Sequence, residues 1–208
     1  MRQRLEFIPQ GRLGSIKWRL EIFGSLAMIV ALDVLYGEGG AALVGAVGFC
    51  SFKADEPSFE MSFPMSGCAE YEPGAFYKRE LPCLLAALSQ MQEVDIVIVD
   101  GYVDLDGRGR AGLGRKLWEA LGGSIPVIGV AKTPFHGIPK EWELLRGKSS
   151  NPLLVTAAGM GLNEAKRAVA SMAGEHRMPA LLRRVDQLSR GEEPVAAKAC
   201  FQGGSLAP

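Results

Sequence analysis

Apolar residues recur along this chain in two rhythms, and each predicts a different element. Short continuous or alternating runs predict strands over residues 27–36, 41–52 and 59–63, the last with the period-two pattern of a half-buried strand. Gly37, Glu38, Gly39 and Gly40 between the first two runs form a hairpin signal, because glycine takes positive φ without steric cost. The three runs therefore predict an antiparallel meander. Pro73 and Gly74 break the chain, and Leu81, Leu84, Leu85 and Leu88 then recur at helical spacing, predicting a helix over residues 76–91. Pro82 is tolerable there only in the first turn or with a kink.

The second half alternates. Residues 95–100 are a continuous apolar run flanked by acids, the pattern of a buried parallel strand. A polar Gly- and Arg-rich loop follows, then a helix over 111–121 and a strand over 126–132. Residues 133–151 carry Pro134, Gly137, Pro139 and Gly147 and predict a loop with one helical turn near Trp142. A last strand over 152–158 precedes helices over 162–173 and 179–190. The low apolar density of 191–208 predicts a flexible tail, leaving residues 1–190 as one domain. The sum is an α/β fold. A meander followed by alternating helices and parallel strands resembles the ribonuclease H-like architecture, a mixed sheet flanked by helices; periodicity alone gives only a mixed α/β class.

Composition narrows the chemistry. With 208 residues and 48% apolar content, the chain suits one domain with a real core, not a disordered one. Formal net charge is zero, yet residues 1–100 hold 8 Lys+Arg against 13 Asp+Glu, and residues 101–208 hold 15 against 10. An acidic cluster facing a basic half suits an anionic substrate approaching a metal site, although chance fluctuation explains such a split equally well. Cys50, Cys68, Cys83 and Cys200 have no Cys-x-x-Cys spacing, which argues against a zinc ribbon or a thioredoxin-type site and suits a reducing cytoplasm. Asp33 interrupts the most apolar stretch, so neither a signal peptide nor a membrane span is expected.

Three acids stand at the ends of predicted core elements: Asp33, Glu80 and Asp100. A carboxylate there costs several kcal/mol in lost solvation, on the order of the penalty for any buried ion, unless something neutralises it. Clustered carboxylates are hard oxygen ligands for Mg²⁺ or Mn²⁺, and two such ions about 3.5–4 Å apart can activate water and stabilise the leaving oxygen in phosphodiester hydrolysis. Each acid alone is more simply an ordinary strand-end or helix-start residue.

The flanks of these acids carry a resemblance. Leu32-Asp33-Val34-Leu35-Tyr36, the stretch from Tyr71-Glu72-Pro73-Gly74 to Arg79-Glu80, Val99-Asp100-Gly101 and Gly129-Val130-Ala131-Lys132 are similar, in the same order, to motifs of the endonuclease V family. Arg177, Pro179, Arg183 and Asp186 resemble its closing Arg-x-Pro and Arg-x-x-Asp pattern. The similarity spans roughly residues 27–190. It implies a metal-dependent endonuclease acting on deaminated bases, chiefly hypoxanthine (inosine), and cutting one nucleotide beyond on the 3′ side of the lesion in DNA or RNA. It implies Asp33, Glu80 and Asp100 as catalytic metal ligands. It also implies that Tyr71, in its turn with Pro73 and Gly74, is a wedge beside the lesion, and that Lys132 and Arg108 contact the nucleic acid.

The chain also departs from that pattern. Asp106-Gly107-Arg108 stands where the family has His-Pro-Arg, Lys116 where it has a histidine, and Met160 where it has a histidine after glycine. Methionine is soft and aprotic, so it serves neither Mg²⁺ nor proton transfer. The chain has two histidines, His136 in a loop and His176 in an exposed turn. An alternative therefore stays open: a catalytically weak or inactive relative that binds nucleic acid or a protein partner, with Arg108, Arg110, Arg115 and Lys116 as its basic run. A dinucleotide site at Gly107-x-Gly109-x-x-Gly112 is weaker, because that turn should follow its strand directly.

Overall fold

The computed structural model describes residues 27–68, 72, 77–91, 93–134 and 137–195. Among these described residues, seven strands form one sheet in the order β3-β2-β1-β4-β5-β7-β6. They are β1 (Ile29–Tyr36), β2 (Ala42–Phe49), β3 (Phe59–Met65), β4 (Ile96–Asp100), β5 (Val127–Ala131), β6 (Glu143–Leu144) and β7 (Leu153–Ala158). The α-helices among the described residues are α1 (Tyr77–Leu88), α2 (Leu113–Ala120), α3 (Leu162–Ser171) and α4 (Ala180–Ser189). This is the ribonuclease H-like mixed sheet expected from the sequence.

β1, β2 and β3 form the predicted antiparallel meander. β1 also pairs in parallel with β4, with Leu32 opposite Val99, so the next residue on each strand, Asp33 and Asp100, emerges at the same end of the sheet. β4 and β5 are parallel as well. β7 differs from expectation: it runs antiparallel to β5. A parallel neighbour needs a crossover, usually a helix. Among the described residues, the stretch after β5 supplies only the 3-10 turn Lys140–Trp142 and the two residues of β6.

The two faces of the sheet bury different sets. Val30, Leu32, Val97 and Val99 pack under α1 and α2, while Ile29, Ala31, Ile98 and Val130 pack under α3 and α4. The buried side of α1 is Glu80, Cys83, Leu84, Ala87 and Leu88. That stripe is turned by one residue from the leucine stripe expected from the sequence, so Glu80 falls in line with the core. Pro82 lies beyond the first turn but on the exposed side of the helix, where water can satisfy the carbonyl that its missing N–H leaves open.

α4 lies across β1 and β2 with almost nothing between helix and sheet. A Cβ at Gly45 would sit 2.6 Å from both the Ser189 amide nitrogen and the Val185 carbonyl oxygen. Gly45 pairs with Asp33, so this close approach brings the end of α4 onto the Asp33 carboxylate. Gly45→Val is expected to force α4 outward and to destabilise the protein by about 1–3 kcal/mol, the usual cost of overpacking. Chemical denaturation measures it, and a wild-type midpoint would refute the contact.

From within α4, Arg184 donates a two-pronged pair of hydrogen bonds to Glu60 of β3, at 2.8 Å each, and a further bond to Glu192 at 2.9 Å. The Val195 amide donates to the same Glu60 carboxylate at 2.7 Å. The first residues of the predicted tail thus lie against β3, and those beyond 195 are outside the described residues. Among the described residues no helix is long and apolar enough to cross a membrane.

Candidate active site

Asp33, Asp100 and Asp186 converge at the shared end of β1 and β4. Each offers a carboxylate oxygen, and these oxygens lie within 4.8 Å of one another. Asp33 comes from β1, Asp100 from the last residue of β4 and Asp186 from the middle of α4. Together with Lys132 and Val185 they line one cleft. Two of the three were expected from the sequence. Asp186 was visible there only as part of the Arg-x-x-Asp resemblance, because nothing in a helical acid more than 80 residues from its neighbours marks it as a site residue.

The local chemistry explains how the group is held. Ser189, one turn beyond Asp186, donates a 2.7 Å hydrogen bond to Asp33 and another, of 2.8 Å, to the Asp186 carbonyl. Burial raises the Asp33 pKa, the Ser189 bond opposes that rise, and the charges of Asp100 and Asp186 add to it. The Asp186 pKa is lowered, mainly by its bond to Arg190 and further by Lys132. Lys132, just after β5, bridges Asp100 at 2.8 Å and Asp186 at 3.1 Å through its ammonium. Burial works against the Lys132 charge, but the two carboxylates outweigh it and raise its pKa. Arg177 donates to the Lys132 and Pro152 carbonyls, which fixes the turn that presents Lys132.

Glu80 approaches from α1, on the other side of the sheet. It is 5% exposed, and its Oε2 has no hydrogen-bond partner among the described residues. Burial pushes its pKa up to about 8, with smaller contributions from the charges of Asp33 and Asp100. Glu80 is thus electrostatically part of the cluster but stands outside the close trio. A buried, unpartnered carboxylate beside three converging ones is a donor set of hard oxygens, which fits a divalent cation. Asp33, Asp100 and Asp186, with Glu80 beside them, are the residues that could hold one.

The remaining candidates are more dispersed. Arg108 is exposed in the loop after β4, and the Asp106 carboxylate accepts the amides of Arg108 and Arg110 at 2.9 and 3.1 Å. Asp106 therefore caps its own loop. Arg115 forms a two-pronged pair with Asp104, and Lys116 pairs with Glu119, so much of the basic run is neutralised within the fold. Met160 packs against the apolar cluster under α3 and α4. His176 is exposed. Tyr71, Pro73, Gly74 and His136 lie outside the described residues.

Gly129 connects β5 to this loop. A Cβ there would meet the Gly101 carbonyl oxygen at 2.6 Å and the Val103 amide nitrogen at 2.8 Å. The chain leaving Asp100 therefore passes directly over β5, held by the Val103 amide donating to Thr156 at 2.8 Å.

The sequence profile of the family described as Endonuclease V matches residues 16–170. The chain belongs to the endonuclease V family. An endonuclease V from Streptomyces coelicolor is 33% identical over 153 residues, covering 70% of this chain and 59% of that protein. One from Streptomyces avermitilis is 36% identical over 116 residues, covering 55% of this chain and 44% of that protein. The chain thus spans 59% and 44% of the length of these two relatives, less than two thirds of either. The crystal structure of the S. avermitilis endonuclease V superposes with a TM-score of 0.64 at 26% identity, covering 80% of this chain and 81% of that one. Ciona intestinalis endonuclease V, in complex with a 24mer DNA containing an inosine followed by a ribo-adenosine, superposes with a TM-score of 0.65 and covers 81% of this chain and 86% of that one. At 17% identity that likeness shows the fold. The family match ends before Asp186, so the third aspartate of the cluster is placed by the geometry of α4.

Proposed function

We propose that this protein is a Mg²⁺- or Mn²⁺-dependent endonuclease that cuts inosine-containing or otherwise deaminated DNA or RNA on the 3′ side of the altered base. The observation that carries this reading is the convergence of Asp33, Asp100 and Asp186, with buried Glu80 beside them, in an endonuclease V fold. The inosine-bearing DNA held by the Ciona relative supports the substrate class. Cys50, Cys68 and Cys83 form no disulfide with one another, which suits a reducing cytoplasm.

A bound divalent ion would supply Lewis-acid activation of water and of the scissile phosphate. The protein's own residues do the rest. Ser189 orients Asp33, and Gly45 lets Ser189 reach it. Gly129 and Thr156 fix the chain leaving Asp100. Arg177 fixes the turn that carries Lys132, whose ammonium offers the cleft a positive charge for a phosphate. Tyr71, with Pro73 and Gly74, is the proposed wedge; an aromatic face stacked on a base contributes about 1–3 kcal/mol. Arg108, exposed in the loop beyond Asp100, is the proposed contact for the strand backbone.

The test is incubation of end-labelled inosine-containing DNA and RNA with Mg²⁺, with Mn²⁺ and with chelator. Metal-dependent cuts one nucleotide past inosine are the expected result. Tight binding with no cut, at protein in large excess, would overturn catalysis and leave a nucleic-acid-binding relative. Lys132→Met is expected to weaken binding of all strands alike and to reduce the salt dependence of affinity by about one counterion. An unchanged salt slope in a binding titration would remove Lys132 from the phosphate path.

A further inference from the structure

Cys68 and Cys83 meet on the α1 side of the sheet, outside the carboxylate cluster. Their sulfurs are 3.5 Å apart, and both are free thiols. The encounter is held from both sides. The Cys68 amide donates to the Gly40 carbonyl at 3.0 Å, which ties it to the β1–β2 turn. Cys83 is buried in α1 and donates to the Arg79 carbonyl. We propose that Cys68 and Cys83 form an oxidation-sensitive pair that a hydroperoxide closes into a reversible intramolecular disulfide.

The separation favours it. A disulfide bond is about 2.05 Å long, so closure requires the sulfurs to approach by about 1.5 Å. Cys68 can supply that movement because it lies in an irregular segment three residues past β3, whereas Cys83 is fixed in the helix. The two sulfurs also differ in the way such a reaction needs. Cys68 is half-buried, so peroxide can reach it. Cys83 is buried, which keeps peroxide from it, and its sulfur stands in contact with that of Cys68, so it is left to the second, resolving step.

The Cys68 thiolate attacks one peroxide oxygen; an S–O bond forms, the O–O bond breaks, and the departing hydroxide takes a proton to become water. Cys83 sulfur then attacks the Cys68 sulfenic acid. The S–S bond forms, the S–O bond breaks, and a second water leaves with the Cys83 proton. The two thiols lose two electrons and one peroxide gains them. A dithiol reverses the reaction.

The pair is 15 positions apart in sequence, and the loop it would close contains Tyr71, Pro73, Gly74 and Glu80. Joining the ends of that segment constrains residues assigned above to the substrate and to the metal, a consequence that rests on the proposed function. Turnover is then expected to fall about a hundredfold, the usual effect of misplacing a positioning group by about 1 Å.

The experiment treats the full-length chain with hydrogen peroxide, blocks remaining thiols under denaturing conditions, and maps peptides by mass spectrometry with and without later dithiothreitol. A Cys68–Cys83 cross-linked peptide that dithiothreitol removes, and that Cys68→Ser eliminates, is the expected result. Cys68→Ser alters a half-buried coil residue, so it also serves if Cys83→Ala fails to fold. Cross-links only to Cys50 or Cys200, or Cys68 carried to sulfinic acid with Cys83 still alkylated, would overturn the pair. The mapping needs no nuclease activity, so failure of the proposed function leaves it readable. With an active enzyme, a cross-linked protein that cuts inosine strands as fast as the dithiol form would overturn the link to turnover.

Discussion

Asp100→Ala is expected to abolish cleavage while leaving the fold in place. Asp100 is one of three carboxylates within 4.8 Å, and it ends the central strand β4, so its oxygen is held more rigidly than a loop residue's would be. A ligand that activates water and neutralises a developing oxyanion contributes several kcal/mol, so its loss should reduce turnover by about a thousandfold or more. The fold should survive because Lys132 keeps a second carboxylate. Its ammonium remains bonded to Asp186 when Asp100 is removed, so no cation is left stranded. The Lys132–Asp100 pair is itself open to solvent, and exposed pairs contribute about 1 kcal/mol or less to stability. Circular dichroism and a melting curve check the fold, and single-turnover cleavage checks the chemistry. Cleavage at the wild-type rate in a folded Asp100→Ala protein would remove Asp100 from the site.

Glu80 makes the second strong prediction, and it concerns stability as a function of pH. Its pKa in the folded protein is pushed up to about 8, while an unfolded glutamate titrates near 4.5. The folded state therefore holds the Glu80 proton more tightly than the unfolded chain does. The stability this contributes is fully present below about 4.5 and is lost as pH rises through about 8. Asp33, whose pKa is also raised, acts in the same direction. In metal-stripped protein the melting temperature should fall between pH 5 and pH 8.5, values on the order of one unit above the lower pKa and just past the higher one. Glu80→Gln, which cannot ionise, should flatten the curve, with a difference of several kcal/mol at the alkaline end. Adding Mg²⁺ or Mn²⁺ at alkaline pH should stabilise wild-type protein more than the variant, since a ligand that binds only the folded state raises its stability. Parallel pH curves for the two proteins would show that Glu80 is not the strained carboxylate.

The sequence showed the sheet better than it showed the site. Hydrophobic runs that end in an acid, at Asp33 and Asp100, mark strands whose last residues leave the core, and both stand at the end of their buried stretch. The direction of β7 was harder to see, because its residues pack equally well in either sense; the decisive signal was the lack of a crossover helix after β5. The buried stripe of α1 was turned because four leucines outweigh Glu80 and Cys83 in hydrophobicity, although both are buried. Asp186 illustrates the main limit. Its role depends on how closely α4 can approach β2, and that distance is set by the absence of a side chain at Gly45, on a different element. No periodicity within residues 179–190 carries that information.

The Gly45 contact also bears on how the protein loses activity when stressed. A site built on a surface loop can open while the core stays intact. Here one aspartate rides on a helix seated against the backbone of β2, and the other two belong to central strands. Backbone amides at Val185 and Ser189 should therefore exchange with solvent as slowly as those of β1, and the carboxylates should separate only when the sheet itself comes apart. Heat inactivation and global unfolding are then a single event with a single rate.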